Sequence, residues 1–96
     1  MKKGYWVSIY YSISDPVAFA EYGKLATSAI QGRGGRFLAR GMPAQVYEEG
    51  SRERVVIIEF PSVADAVSAV ESAEYQAAKK VLGNSVKREI RIIEAT

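Results

Sequence analysis

The stretch Arg54-Val55-Val56-Ile57-Ile58-Glu59-Phe60 constrains this chain more than any other. Its β-branched and aromatic content predicts a strand. Side chains alternate between the two faces of a strand, so Val56, Ile58 and Phe60 share one face, and Val55 and Ile57 the other. An antiparallel sheet with one wet face carries polar residues there, yet here both faces are apolar. A second stretch, Tyr5 to Ile13, behaves similarly. Its odd positions are Tyr5, Val7, Ile9, Tyr11 and Ile13, all apolar or aromatic, and its even positions mix Trp6 and Tyr10 with Ser8 and Ser12.

Between these strands the chain is punctuated by caps and glycines. Asp15 caps a predicted helix with Pro16 in its first turn, and Phe19, Tyr22, Ala26 and Ile30 keep helical spacing to about Gly32. Gly23 lowers the propensity of that helix and is expected to allow close packing on a sheet. Gly34-Gly35 ends it. Arg36 to Arg40 reads as a second strand, closed by Gly41-Met42-Pro43, with Gln45 to Glu49 as an extension after a bulge. Ser62 caps a second helix marked by Val63, Ala66, Val67 and Val70, and Ser72 caps a continuation through Tyr75, Ala78 and Leu82 to Gly83. Val86 to Glu94 is the last strand.

The order β-α-β-β-α-β predicts an α+β, ferredoxin-like sandwich over residues 1–96 as one domain: a four-stranded antiparallel sheet with two helices on one face. Nothing in the chain is long enough to cover the other face, and a large apolar patch in water is unusual for a monomer. A second copy is the simplest cover, giving a homodimer with its sheets face to face. The alternative cover is the tail or the Met42–Glu49 segment.

With neither Cys nor His among 96 residues, disulfides, thiolate metal sites, imidazole proton shuttles and Cys or Ser–His nucleophile pairs are excluded, and no metal site is expected. The net charge of +2 argues against nucleic-acid binding by bulk charge. The third strand carries one aromatic and an unfavourable Glu59, which argues against an RNA-recognition sheet. Ser14-Asp15-Pro16 is not the Gly-rich phosphate loop of an acylphosphatase. Gly32-Arg33-Gly34-Gly35-Arg36 precedes a strand, so it reads as a helix stop rather than an anion cradle. Lys2 and Lys3 precede an apolar stretch, but its alternation fits a strand rather than a secretory signal, and no aliphatic run is long enough to span a bilayer. A cytoplasmic protein without membrane contact is expected.

Gly4-Tyr5-Trp6, Asp15-Pro16, Gly34 to Gly41, Val55 to Ser62 and Ala73-Glu74-Tyr75-Gln76, in this order and spacing, resemble the bacterial family known as domain of unknown function 1330. The resemblance covers almost the whole chain. It implies membership of the dimeric α/β-barrel superfamily, with a homodimer and a cleft between sheet and helices. The family pattern usually has Tyr where this chain has Phe19, Trp near Val70, and Pro where it has Ala73. The superfamily includes cofactor-free monooxygenases, isomerases, haem-degrading enzymes and ligand-binding modules, so it does not assign a reaction.

Polar residues that a cleft can use are few. Arg36 and Arg40, four apart, are expected on one side of the second strand. Glu59, among apolar neighbours, needs a partner such as Arg40 or Arg91, and is the candidate catalytic base, with a Tyr as the alternative proton-transfer group. Its alternative role is a structural ion pair that fixes sheet register. Tyr10, Tyr22 and Tyr75 supply hydroxyls, though Tyr at such spacing is commonly core. The expected ligand-binding set is Tyr10, Arg40, Glu59, Tyr75 and Gln76, acting on a small organic or anionic ligand without a cofactor. The alternatives are a cofactor-free enzyme on a small aromatic or carbonyl substrate, and a structural dimer without ligand.

Overall fold

The computed structural model describes all residues, 1–96. It contains β1 (Gly4–Ile13), α1 (Pro16–Gly32), β2 (Arg36–Gly41), β3 (Val55–Phe60), α2 (Val63–Glu71), α3 (Ala73–Leu82) and β4 (Val86–Glu94). The strands form one antiparallel sheet in the order β2-β3-β1-β4. β1 and β3, the two strands that are apolar on both sides, are therefore the central pair. This is the ferredoxin-like arrangement.

Local chemistry sets the helix boundaries. The Asp15 carboxylate accepts from the Val17 and Ala18 amides, at 3.1 Å each, with Pro16 in the first turn. Ser62 accepts from the Asp65 amide at 3.1 Å. The predicted second helix is in fact two. Ser72 leaves helical geometry (φ −65°, ψ 149°), donates its hydroxyl to the Ala69 carbonyl and accepts from the Tyr75 amide. One side chain thus closes α2 and opens α3.

Trp6, Ser8 and Tyr10 of β1 and Val56, Ile58 and Phe60 of β3 are buried beneath the helices. The core is thus built on the register of β1 that mixes aromatics with serine. Ser8 is accommodated because its hydroxyl accepts from Trp6 Nε1 at 2.8 Å. The wholly apolar register faces away from the helices, where Val7 and Ile9 adjoin Ile57 and Val55 of β3, and Ile93 of β4 is 59% exposed.

Two sequence expectations are corrected. Gln45 to Glu49 is not a strand. Residues 42–54 form a connection with a turn at Tyr47–Gly50 (amide to carbonyl 3.1 Å), and Glu48 adopts a positive φ of 55°, which ladder pairing excludes. Arg36 and Arg40 do not share a face. A bulge between Phe37 and Ala39 inserts an extra residue into β2, so Arg36 pairs beside Glu59 on the open side and Arg40 opposite Val56 on the helix side.

β1 enters the sheet directly under the start of α2. A Cβ at Gly4 would lie 2.7 Å from Val63 Cα and from Ser62 O. The substitution Gly4→Ala therefore forces backbone apart and is expected to lose about 1–3 kcal/mol of stability. Urea denaturation measures it, and an unchanged midpoint would show that α2 docks loosely.

Candidate functional site

The inward side of α1 carries Ala20, Gly23 and Ala26 among its larger residues, and these small side chains do not reach the sheet. The space left is a cavity of about 300 Å³, walled on the sheet side by Trp6, Tyr10 and Ile58. A Cβ built on Gly23 meets nothing within 4 Å. Gly23 therefore opens space rather than allowing close packing, contrary to the sequence expectation. Ten of the fifteen lining residues are hydrophobic, so the cavity prefers an apolar body.

The charged residues in the lining are both arginines. Arg40 donates from Nη1 to Thr27 Oγ1 at 2.9 Å, and its guanidinium lies 4.2 Å from the Phe37 ring centroid. Arg54 lies 5.5 Å from the Phe19 centroid. The Arg54 carbonyl accepts from the Tyr10 amide at 3.0 Å, and Ser51 Oγ donates to the Tyr10 carbonyl at 2.7 Å, so the β2–β3 connection is tied to β1. Neither arginine takes part in the four ion pairs of the chain. Both leave a positive charge at the cavity without a carboxylate.

Beyond the aromatic wall lies a third unpaired cation. Arg88 Nη1 donates to the hydroxyls of Tyr10 and Tyr22, and Nη2 to that of Tyr75, each at 2.9 Å. The Tyr22 and Tyr75 hydroxyls are 2.8 Å apart. Burial pushes the Tyr10 phenol up to about 12, helped by Tyr22 and opposed by Arg88. Burial likewise raises Tyr22 and Tyr75. At Arg88 burial works against the charge, but the tyrosine oxygens outweigh it and raise its pKa. The cluster is one guanidinium among protonated phenols.

The sequence-predicted residues divide over three places. Tyr10 and Arg40 line the cavity, as does Phe19, whose ring packs edge-on to Tyr10 at 5.4 Å. Tyr75 sits in the Arg88 cluster, its ring edge-on to Trp6 at 4.8 Å, and does not line the cavity. Gln76 donates from Nε2 to the Val70 carbonyl at the α2 terminus. Glu59 is on the opposite face of the sheet, because position 59 is out of phase with Val56, Ile58 and Phe60. It accepts from Lys3 at 3.2 Å, Arg36 at 3.0 Å and the Tyr5 hydroxyl at 3.4 Å, rather than from Arg40 or Arg91. The Lys3 hydrogen bond foremost, then Arg36, hold its carboxyl below the usual range. Arg91 pairs instead with Glu89.

Sequence reasoning missed Arg54 and Arg88. Arg88 had a usable signal. It is in phase with Ile90 and Ile92, so it belongs to the covered face of β4, opposite Tyr10.

A family model described as "Domain of unknown function (DUF1330)" matches residues 3–96. The chain belongs to the DUF1330 family. Among solved structures, a protein of unknown function from Rhodopseudomonas palustris is 18% identical with a TM-score of 0.73, covering 99% of this chain and 83% of that one. SnoaB, a cofactor-independent oxygenase from Streptomyces nogalater, is 12% identical with a TM-score of 0.71, covering 100% and 95%. A dimeric ferredoxin-like protein of unknown function from Thermobifida fusca is 10% identical with a TM-score of 0.68, covering 98% and 92%. At these identities the likeness is one of fold. No curated protein matches the sequence, and no helix of this DUF1330 chain is long and apolar enough to cross a membrane.

The tyrosine cluster gives a pH signature. A phenol whose folded pKa exceeds its unfolded value contributes stability below about pH 10 that is lost as pH rises through the folded value, about 12 for Tyr10. Urea midpoints should fall over this window, and Tyr10→Phe should flatten the fall. Ultraviolet titration showing every tyrosine ionising near pH 10 in the folded state would contradict the cluster.

Proposed function

We propose that this DUF1330 chain is a small-molecule-binding protein that takes an organic ligand with an anionic group into the cavity between α1 and the sheet, and that it acts as a homodimer joined through the open sheet face. The cavity carries the reading. Filling it would need only ordinary aliphatic residues at Ala20, Gly23 or Ala26, and packed interiors rarely keep such space. Its apolar wall suits a hydrocarbon or aromatic body. Arg40 and Arg54, without carboxylates, suit an acid group. A purely structural dimer has no use for either feature.

The catalytic alternative draws on the fold shared with SnoaB, which is a cofactor-independent oxygenase. The cavity lining of this chain contains no carboxylate, and the chain contains no histidine. Tyr10 and Tyr22 hold their protons more tightly than ordinary phenols. Proton abstraction therefore lacks a base among these residues, and Glu59 lies across the sheet. Binding is the reading these groups favour.

The Trp6 indole, the sole tryptophan, lines the cavity and reports on its contents. Titration with 2-naphthoate should change its emission with saturation. Gly23→Leu should abolish that response without lowering the melting temperature, because the new side chain enters open space. Arg40→Gln should weaken binding about ten-fold, the scale of one charge-assisted hydrogen bond. No saturable response in the wild type would overturn the reading.

For the dimer, Val7, Ile57 and Ile93 form an apolar open face that a second copy would bury. Sedimentation at micromolar concentration should give twice the chain mass. Ile57→Lys should shift it to monomer, and a wild-type monomer would remove the pairing.

A further inference from the structure

The Arg88 cluster has more donors than acceptors. Arg88 donates three hydrogen bonds to three phenol oxygens, and each phenol brings a proton of its own. One of those protons serves the Tyr22–Tyr75 contact. The Tyr10 hydroxyl also engages that of Tyr22, so along the run Tyr10–Tyr22–Tyr75 one hydroxyl proton remains, at one end or the other, and no side-chain or backbone oxygen accepts it. The three tyrosines are 2%, 6% and 1% exposed, while Arg88 is half-buried and also lines a second, open pocket. Arg88 also lacks a carboxylate, its charge being absent from all four ion pairs. A partly buried, positively charged cluster with a surplus O–H donor is complementary to an oxygen carrying negative charge.

Tyr10 and Tyr22 belong both to this cluster and to the cavity wall. We propose that Tyr10 and Tyr22, backed from behind the wall by Arg88 and Tyr75, form a second polar subsite of the cavity, which binds the carbonyl, enolate or phenolate oxygen of a planar ligand. It rests on the reading of the cavity as a binding site. It differs from the mouth, where Arg40 and Arg54 meet an acid group. The high proton affinity of the phenols keeps them donors at neutral pH. An oxyanion at this wall accepts from a phenol O–H, with the guanidinium behind it, and is stabilised over its neutral form. The subsite thus selects ligands that ionise at oxygen, such as acidic phenols and enolisable ketones.

The test compares 4-nitrophenol with 4-nitrotoluene, which has similar size but no ionisable oxygen. Trp6 quenching gives both affinities, and visible absorbance gives the pKa of the bound phenol. The wild type should bind the phenolate about ten-fold tighter than the toluene and lower the pKa of the bound phenol by about one unit. Tyr10→Phe, which removes the oxygen and keeps the ring, should cancel most of both effects, the preference being read as the ratio of the two affinities within the variant. If Tyr10→Phe leaves the preference intact while Arg40→Gln removes it, the oxygen sits at the mouth and the subsite is refuted. Equal binding of both probes to the wild type refutes it as well, with the cavity reading still standing. If neither probe quenches Trp6 saturably, the cavity reading itself fails.

Discussion

Side chains of a strand alternate without exception unless a bulge intervenes, and this parity organises the whole molecule. β1 lies at the centre of the sheet, so the parity of each of its residues assigns neighbours on both sides. Even positions send Trp6, Ser8 and Tyr10 beneath the helices, and odd positions send Tyr5, Val7 and Ile9 outward. β3 and β4 follow by register: Val56 and Ile90 adjoin Ser8 on the inner face, and Val55 and Glu89 adjoin Ile9 on the outer. The polar groups on β3 and β4 have their places from this rule. Arg88 is inside because it is opposite Tyr10, and Glu59 is outside because it is opposite Tyr5.

Most of the fold was legible in the sequence because its signals are local or periodic. Asp15-Pro16 and Ser62 start helices through their own side chains, and β3 is legible from composition alone. The site was only partly legible, because it depends on which parity faces the helices. That choice is set by packing. The wholly apolar register of β1 looks like core, yet the helices cover the register with serines, since Trp6 and Ser8 satisfy each other. The Leu38 bulge was invisible too. It separates Arg36 from Arg40 and brings Arg40 to Thr27. Gln76 and Tyr75 are neighbours in sequence but diverge on α3, one capping α2 and the other reaching the core.

The cavity and the cluster share an origin in residue size. Small residues on α1 withdraw from the sheet, and large aromatics on β1 and α3 fill what lies beyond. Trp6 is edge-on to Tyr75, and Phe19 stacks near Tyr22 at 6.1 Å. These rings are stiff and positioned from two elements each, which keeps the open space from collapsing. Phe19 contributes a ring without a hydroxyl and is faced by Arg54. The wall on that side therefore joins an apolar ring to a cation at the cavity.

The bulge in β2 bears on a different hazard. β2 and β4 are the outer strands, and a free strand margin is a template onto which further chains add without limit. In β2 only six residues are extended, and the extra residue breaks the hydrogen-bond spacing. β4 is longer, but it carries Lys87 and Arg91, and its pairing with β1 shifts register between Tyr10 and Ser12. Growth sideways into a fibril is thereby discouraged at both margins. A chain so protected can keep a greasy surface on the flat of its sheet without polymerising.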